Sequence, residues 1–321
     1  MMKKVLIIGG NSFLGGAIVN RFVNNKKFDL FTTYRKNKNS RLFIEGLDKK
    51  CKTLQLDVTK LSNVKKLLKD IHPDIIIDLT SLVDVNKSIN LPKESFESSA
   101  ITTLNILEAI RLENLNSVYI NHSSDKVYVN NEPPFNEEMK LFPNDIYGVG
   151  KLSQELISNS YNFHYGIKNI NIRSANYYGP YDFDFNRLIP YLMKSYIQNE
   201  EISLRTNLEF KRDFLFIDEA SKVNELICNL VLDNGFLNFG QSFNFSQEKN
   251  YSIEEIINSI SGMSKNNPEI KINNIESNFE AKKLLLDCSK SKEELGWQNT
   301  TTFEDGIEKT YNFYYSFLNN N

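Results

Sequence analysis

Short apolar runs alternate with amphipathic segments along the first half of the chain. The runs are continuous rather than alternating, which is typical of strands buried on both faces of a parallel sheet. The segments between several of them carry apolar residues at helical spacing. The predicted elements, in order, are strand KVLIIGG (4–10), helix FLGGAIVNRFV (13–23), strand DLFTTY (29–34), strand KTLQLDV (52–58), helix LSNVKKLLKDI (61–71), strand PDIIIDLT (73–80), helix ESSAITTLNILEAIRL (97–112) and strand SVYIN (117–121).

This order of strands and helices predicts an α/β fold with a doubly wound parallel sheet. After Arg173 the pattern changes, because residues 177–190 are aromatic and rich in turn formers. We therefore expect a dinucleotide-binding domain over residues 1–176 and a smaller substrate lobe formed mainly by residues 177–321. The lobe is predicted to be interleaved with the first domain, with returning elements near 213–248 that include RDFLFI (212–217) and SFNFS (242–246).

Composition excludes several classes of protein. The 321 residues carry a net charge of -2, so there is no basic excess for binding nucleic acid. No apolar run approaches the roughly 20 residues of a membrane helix, and the N-terminus does not have the pattern of a signal peptide. The three cysteines and three histidines show no metal-ligand spacing and no disulfide framework. We expect a cytoplasmic protein without a metal and without a membrane or nucleic-acid partner.

The segment GGNSFLG (9–15) joins the first strand to the first helix. A tight turn there brings backbone N–H groups close to a pyrophosphate at the helix N-terminus, and a side chain at either end of the turn would obstruct it. An ordinary strand-to-helix turn is the alternative, although the opening strand and the following helix are the context that the motif requires. The turn residues predicted to contact a dinucleotide are Gly9, Asn11, Ser12, Phe13, Leu14 and Gly15.

The ends of the next strands bear on the choice of dinucleotide. Tyr34 and Arg35 follow the second strand, where NAD-dependent enzymes often place an acidic residue. Arg35 therefore favours the 2′-phosphate of NADP, with a solvated basic loop as the alternative. Asp57 ends the third strand, where its carboxylate could accept a hydrogen bond from the adenine amino group. Further predicted cofactor contacts lie at the ends of the third and fourth strands: Val58, Leu79, Thr80 and Ser81.

Two motifs supply a set of acid and base groups. YGVGK (147–151) places Tyr147 and Lys151 on one face of a helix. An ammonium group near a phenol lowers the pKa of the phenol, which makes Tyr147 a candidate general base for a substrate hydroxyl. Lys151 could also hydrogen-bond the nicotinamide ribose. Tyr and Lys at this spacing occur by chance in many proteins, so the prediction depends on the glycine turn and on the segment NHSSDKVY (121–128) that follows the strand SVYIN.

Together these motifs resemble the extended short-chain dehydrogenase/reductase family, which contains nucleotide-sugar epimerases and dehydratases. The resemblance covers nearly the whole chain and extends to the segments IRSANYYGP (172–180) and LDCSKSKEELGW (286–297). It implies a Rossmann domain with a sugar-nucleotide lobe, and a homodimer formed through the helices 101–112 and 151–161, with a tetramer as the alternative. It also implies catalytic roles for Ser124, Tyr147 and Lys151, and substrate contacts from Asn176, Arg187 and Arg212.

The pair Asp125–Lys126 resembles the CDP-glucose 4,6-dehydratase subgroup, which uses NAD, so we favour NAD slightly over NADP. In 4,6-dehydratases of the family, an aspartate protonates the leaving hydroxyl at C6 and the following residue is the base at C5. Lys126 could be that base only when neutral, and both side chains reach one sugar only if the chain leaves the sheet at about Ser124. Otherwise Lys126 is a binding residue and the enzyme stops at C4.

The function predicted from the sequence is oxidation of a nucleotide-linked sugar at C4 in surface-glycan biosynthesis, by a 4,6-dehydratase or a C4 dehydrogenase. The alternatives are a 4-epimerase or 4-reductase and, outside catalysis, a dinucleotide-binding sensor or scaffold. Among the remaining residues, Tyr177 and Tyr178 are predicted to form the wall of the sugar pocket. His122 is predicted to be a packed strand residue rather than a catalyst.

Overall fold

The computed structural model describes residues 2–36, 38–82, 85–128, 131–204, 207–233, 238–273 and 282–319. The strands are β1 Lys3–Ile8, β2 Phe28–Tyr34, β3 Lys52–Gln55, β4 Ile75–Asp78, β5 Val118–His122, β6 Asn169–Ser174, β7 Asn176–Tyr178, β8 Ile202–Leu204, β9 Lys211–Phe216, β10 Gln241–Phe245, β11 Asn250–Ser252 and β12 Ile270–Ile272.

The helices are α1 Phe13–Phe22, α2 Arg41–Ile44, α3 Leu61–Ile71, α4 Val85–Asn90, α5 Pro92–Phe96, α6 Thr102–Leu112, α7 Ile146–Tyr165, α8 Leu188–Gln198, α9 Ile217–Leu232, α10 Ile253–Ser261, α11 Ser289–Leu295 and α12 Phe303–Asn319. Of the helices that the described residues form, none combines the length and the apolarity that a membrane span requires.

The large sheet has seven strands in the order β10-β6-β5-β4-β1-β2-β3. Every pairing in it is parallel. Both faces of its central strand β1 are covered: Val5 and Ile7 belong to the core cluster that contains α1, while Leu6 and Ile8 belong to the cluster that contains α3 and α6. The predicted Rossmann-type, doubly wound sheet is confirmed.

The described residues of the second half of the chain form two further sheets. One has the strand order β11-β9-β7 and the other pairs β12 with β8. The segment SFNFS returns to the large sheet as β10, which pairs with β6. The expectation that RDFLFI also joins the last part of that sheet is wrong, because this segment forms β9 between β7 and β11. The two runs are similarly apolar, and only pairing between distant segments separates them.

The long helix predicted over residues 97–112 is interrupted. Residues Glu97–Ile101 form a π-helical turn, and the regular helix α6 begins at Thr102. Ser99 lies in this turn, where its hydroxyl donates to the carbonyl oxygen of Ser95 at 2.6 Å. The turn packs against α7, the helix that carries Tyr147 and Lys151.

Candidate active site

The glycine turn after β1 is closed tightly against α1. Gly9 has a φ of 90°, in the region that favours glycine. A Cβ atom on Gly15 would lie 2.3 Å from the carbonyl oxygen of Gly9, so a side chain there would force the turn open. Ser12 caps the helix, and its Oγ accepts a hydrogen bond from the Gly15 N–H at 3.0 Å. This cap explains structurally why a serine is suitable at position 12, where a glycine is often found.

A cavity of about 340 Å³ opens above this turn, at the carboxyl ends of β1 to β4. Such a switch-point crevice is where doubly wound folds bind their ligands. The residues predicted to bind the cofactor that line it are Gly9, Asn11, Ser12, Tyr34, Arg35, Asp57, Val58, Leu79, Thr80 and Ser81. Gly15 does not line the cavity but lies beneath the turn, and Phe13 and Leu14 line the neighbouring cavity instead.

Arg35 and Asp57 lie at one end of this cavity. The Arg35 side chain is exposed, and its carbonyl oxygen accepts from the Gln55 side chain at 2.9 Å. The Asp57 carboxylate accepts from the Thr59 hydroxyl at 2.8 Å and from the Thr59 N–H at 3.1 Å. The hydrogen bonds from Thr59 lower the pKa of Asp57, and the charge of Arg35 adds to this effect. Asp57 is therefore ionised at neutral pH, as an acceptor for an amino group requires.

A second cavity of about 190 Å³ adjoins the first, and the two share Ser12 and Leu79. All five predicted catalytic residues line it: Ser124, Asp125, Lys126, Tyr147 and Lys151. Two of the three residues predicted to contact substrate, Asn176 and Arg187, line it as well. The arrangement places a set of acid and base groups at the inner end of the dinucleotide-sized crevice.

Arg212, the third predicted substrate residue, is not among the residues that line the second cavity. It lies on β9, where its Nη1 donates to the Lys211 carbonyl oxygen at 3.0 Å and its guanidinium lies 5.6 Å from the centre of the Phe210 ring. Its charge nevertheless acts on Asp125, whose pKa it lowers. Arg212 is thus a buried residue close enough to Asp125 for its charge to act there, although it does not line the cavity.

The chain leaves the large sheet just before Ser124. Strand β5 ends at His122, and a 3-10 turn runs over Asp125–Tyr128. The Ser124 hydroxyl donates to Asp125 Oδ1 at 3.0 Å and accepts from the Lys126 N–H at 3.2 Å. On a regular strand, Asp125 and Lys126 would point to opposite faces. Because the strand has ended, both residues line the same cavity.

Burial favours the protonated form of the Asp125 carboxyl. The residue is 3% exposed, and desolvation raises its pKa, although the charges of Lys126 and Arg212 oppose this. Its buried Oδ2 has no hydrogen-bond partner among the described residues. An ion pair between Asp125 and Lys126 is likewise absent from the contacts that the described part of the chain makes. A carboxyl in this state can donate a proton to a ligand.

Tyr147 and Lys151 lie on the first turns of α7, whose N-cap Asp145 accepts from the Gly148 N–H at 2.6 Å. The Lys151 Nζ atom lies 5.9 Å from the centre of the Tyr147 ring and donates to the carbonyl oxygen of His122 at 2.6 Å. Burial lowers the pKa of Lys151 to about 8, while the charges of Asp78 and Glu155 oppose this shift.

The expectation that Lys151 lowers the pKa of Tyr147 is wrong for the chain by itself. Burial raises the pKa of Tyr147 to about 12, and a hydrogen bond with Ser124 offsets only part of that rise. Desolvation disfavours the phenolate more than the surrounding charges favour it. The ionised phenol therefore needs a further positive charge beside it.

Comparison with known proteins identifies the family. The family model described as GDP-mannose 4,6 dehydratase matches residues 6–310. The chain belongs to the GDP-mannose 4,6-dehydratase family. This confirms the resemblance to the extended short-chain dehydrogenases, and it establishes the chain as an enzyme of the nucleotide-sugar dehydratase and epimerase class.

Relatives and solved structures agree with this membership. The dTDP-glucose 4,6-dehydratase of Escherichia coli is 27% identical over 353 residues, covering 99% of this chain and 94% of that protein. The UDP-glucuronic acid 4-epimerase of Bacillus cereus, solved with UDP-glucuronic acid and NAD, has a TM-score of 0.89 at 20% identity over 98% of this chain and 99% of that one. The dTDP-glucose 4,6-dehydratase of Bacillus anthracis, solved with NAD, has a TM-score of 0.82 at 20% identity over 98% and 97%. The two structures show that the fold is shared.

His122 is a packed residue of strand β5, as predicted, and its side chain also faces the site. His122 lines the second cavity, with Nε2 2.9 Å from Asn224 Oδ1 and Nδ1 3.4 Å from the Tyr177 hydroxyl. Burial lowers its pKa to about 4, so the imidazole is neutral at physiological pH. The available signal was its place at the carboxyl end of a central strand, which is where α/β proteins collect their site residues.

Proposed function

We propose that this protein is an NAD(P)-dependent nucleotide-sugar 4,6-dehydratase. It oxidises the sugar at C4 and eliminates water across C5 and C6, after which the hydride taken from C4 is returned to C6 and C5 regains a proton, giving a 4-keto-6-deoxy sugar. The observation that carries this proposal is that Asp125 and Lys126 line one cavity with Tyr147 and Lys151. The curated relatives that match nearly the whole chain are named dTDP-glucose 4,6-dehydratases, which supports the same reaction type.

The residues of the first cavity fit a dinucleotide. The closed turn at Gly9 and Gly15 offers backbone N–H groups to a pyrophosphate, and Asp57 offers a carboxylate at the far end. A bound oxidised dinucleotide would accept the hydride of C4, return it to C6 after the elimination, and contribute the positive charge that a Tyr147 phenolate requires. We favour NAD, which two of the structural neighbours contain. Arg35 is the feature of this chain that would instead accommodate the 2′-phosphate of NADP.

For C4 oxidation, Tyr147 takes the proton of the O4 hydroxyl while Ser124 orients that hydroxyl by a hydrogen bond. Both groups line the second cavity, and their mutual hydrogen bond lowers the pKa of Tyr147. Lys151 is held by the His122 carbonyl on the side of the phenol and stabilises the phenolate. The protein thus provides the base, its orientation and a compensating charge.

For the elimination, Lys126 removes the C5 proton and Asp125 protonates the C6 hydroxyl, which leaves as water. The 4-keto group makes the C5 proton acidic enough for this step, so oxidation comes first. The raised pKa of Asp125 supports its role as the acid. Lys126 acts as the base only in its neutral form, because an ammonium group has no lone pair to accept the C5 proton.

The substrate diphosphate is assigned to cationic residues. Arg187 lines the second cavity, where its Nη1 bonds Asp182 at 2.8 Å and its Nη2 donates to the Tyr177 carbonyl oxygen at 3.0 Å. Arg212 supplies a second guanidinium. Asn176 supplies a side-chain amide in the wall of the same cavity. This set favours a nucleoside diphosphate sugar as the substrate.

A 4-epimerase is the second candidate, and the identity of residue 126 favours it. An epimerase needs the C4 base but not a base at C5, so a charged lysine would be tolerated there as a binding group. The proposed dehydratase and this alternative share Ser124, Tyr147 and Lys151, and they differ in what Asp125 and Lys126 do.

We also propose that the enzyme is a cytoplasmic homodimer. Val149, Leu156 and Phe163 recur every seven residues on α7 and are 36%, 60% and 84% exposed, so they form one uncovered apolar row. Leu104 and Leu112 of the neighbouring α6 are also exposed. A second copy pairing through these helices would bury the row, and a monomer mass by light scattering would contradict this assembly. The three free cysteines suit a reducing compartment.

One experiment tests the proposal as a whole. The purified protein is denatured, and the released dinucleotide is identified by mass spectrometry. The native protein is then incubated with CDP-, GDP-, UDP- and dTDP-linked hexoses, and the molecular masses of the products are measured by mass spectrometry. A product lighter than the substrate by one water supports the dehydratase, a product of unchanged mass but altered sugar supports the epimerase, and bound dinucleotide without any turnover supports a sensor.

A further inference from the structure

Asp78 is a buried acid next to the catalytic lysine that the proposed mechanism does not use. It is the last residue of β4 and is 1% exposed. In the register of the sheet it pairs with Asn121, the residue before His122, whose carbonyl oxygen accepts the Lys151 hydrogen bond. Asp78 and the carbonyl group that accepts the Lys151 hydrogen bond therefore lie at the carboxyl ends of the adjacent strands β4 and β5.

Both oxygens of the Asp78 carboxyl group accept hydrogen bonds. Oδ1 accepts from the Thr80 N–H at 2.9 Å and from the Thr80 hydroxyl at 2.6 Å. Oδ2 accepts from the Tyr119 hydroxyl at 2.6 Å and from the Thr103 hydroxyl at 3.3 Å. Four donors therefore converge on one buried carboxyl group.

A buried carboxylate requires a nearby positive charge or full hydrogen bonding. Among the ion pairs that the described residues form, none includes Asp78, so its charge acts through space. The Gln154 side chain of α7 donates to the Thr103 hydroxyl at 2.9 Å, which ties the partners of Asp78 to the helix of Lys151. We propose that the Asp78 carboxylate is the counter-charge that keeps Lys151 in its ammonium form, and that Asp78 is thereby a positioning residue for C4 oxidation.

The other charged groups around Lys151 do not replace Asp78. Glu155, one turn further along α7, is committed to Arg173 by hydrogen bonds of 2.6, 3.0 and 3.1 Å. Burial lowers the pKa of His122, at the end of β5, to about 4, so its imidazole is neutral. Burial raises the pKa of Asp125, which follows β5 in the chain. Burial also keeps the phenols of Tyr147 and Tyr119 neutral. Of the charges that raise the pKa of Lys151, Asp78 has the largest effect.

The test is a direct titration of Lys151 in the whole protein. Lysine is labelled with ¹³C at Cε, and the Lys151 signal is assigned from its loss in Lys151→Met. We expect a midpoint near 8 in the wild type. In Asp78→Asn we expect a midpoint lower by roughly one unit or more, because an opposite charge is removed. Equal midpoints in the two proteins would overturn the inference.

Tyr119→Phe is the matched control, because it removes a donor to Asp78 but keeps the carboxylate. It should destabilise the fold as Asp78→Asn does and leave the Lys151 midpoint unchanged. Should Asp78→Asn not fold, the ¹³Cγ shift of Asp78 in the wild type decides. A carboxylate that stays ionised between pH 5 and 9 supports the proposal, and a protonated Asp78 at pH 7 overturns it.

The role in catalysis rests on the proposed function, whereas the titration does not. With an active substrate, the high-pH limit of the hydride-transfer rate should move to lower pH in Asp78→Asn and stay in place in Tyr119→Phe. An unshifted limit would refute the positioning role. A wild-type protein that oxidises no nucleotide sugar would refute the proposed function while leaving the titration result intact.

Discussion

The Nζ atom of Lys151 donates a 2.6 Å hydrogen bond to the carbonyl oxygen of His122. This bond joins the helix that carries Tyr147 and Lys151 to the end of the central strand from which Ser124, Asp125 and Lys126 follow. It holds the Lys151 Nζ atom 5.9 Å from the centre of the Tyr147 ring. The fold therefore fixes the proposed base, its proposed compensating charge and the proposed acid relative to one another.

Tyr147→Phe should abolish C4 oxidation while leaving folding and dinucleotide binding intact. Loss of a general base costs roughly 10²–10⁴-fold in rate. The measurement is the single-turnover formation of reduced dinucleotide at 340 nm. Tyr177→Phe is the matched control, because it removes a second phenol from the same cavity and should cost far less. Turnover of Tyr147→Phe within a few-fold of the wild type would exclude it as the base.

Arg35→Ala should weaken NADP binding much more than NAD binding if Arg35 contacts a 2′-phosphate. Charge-assisted bonds to phosphate are among the stronger hydrogen bonds, and only NADP has a phosphate at this site. Dissociation constants for both dinucleotides, measured by calorimetry, give the comparison. Lys36→Ala, also at the cavity wall, is the control for loss of a nearby positive charge. Small and equal effects on both dinucleotides would show that Arg35 does not read the phosphate.

Asp213→Asn should stabilise the protein at high pH. Burial raises the pKa of Asp213 to about 7, so the folded state holds this proton more tightly than the unfolded chain. The stability that the protonated Asp213 carboxyl contributes to the folded state is fully present below pH 4, and it is lost as the pH rises through 7. The melting temperature of Asp213→Asn minus that of the wild type should therefore increase between pH 5 and 8.

Asp287→Asn is the control for that prediction, because this substitution should change the melting temperature in the opposite direction. Hydrogen bonds from Ser289 lower the pKa of Asp287, so its stabilising contribution is present above pH 4 and is lost in acid. This variant should melt at a lower temperature than the wild type at pH 7. A difference for Asp213→Asn that does not change with pH would show that Asp213 is ionised in the folded protein.

The sequence predicts those parts of the site that short segments determine. The glycine turn and the Tyr147–Lys151 spacing are local patterns, and both lie where the patterns indicate. The sheet to which β9 belongs could not be predicted, because its apolar run resembles that of β10 and only the pairing with Tyr177 and Tyr251 distinguishes them.

The protonation states of the side chains in the candidate site could not be predicted from the sequence either. Burial decides the pKa of Tyr147, and burial depends on elements far away along the chain. Asp78 illustrates the same limit. Its hydrogen-bond partners Thr103 and Tyr119 lie on α6 and β5, and the sequence around residue 78 does not predict these contacts.

Asp125→Asn should separate the two chemical steps. An amide cannot protonate the C6 hydroxyl, so we expect C4 oxidation to continue while elimination slows by roughly 10²–10⁴-fold. Reduced dinucleotide would then accumulate with a 4-keto sugar that retains its C6 hydroxyl, as seen by mass spectrometry. Ser123→Ala, which alters a neighbouring hydroxyl of the cavity, is the control. Normal elimination by Asp125→Asn would remove Asp125 from the acid role.

Solvent exchange tests most directly whether Asp125 and Lys126 carry out an elimination. The wild-type enzyme is incubated in D₂O with the nucleotide sugar that it turns over, and the product is examined by mass spectrometry and NMR. The account predicts a product that carries deuterium at C5 and has lost the C6 oxygen. A 4-keto or epimerised product that keeps both its C6 oxygen and its C5 proton would contradict it and leave Lys126 as a binding residue.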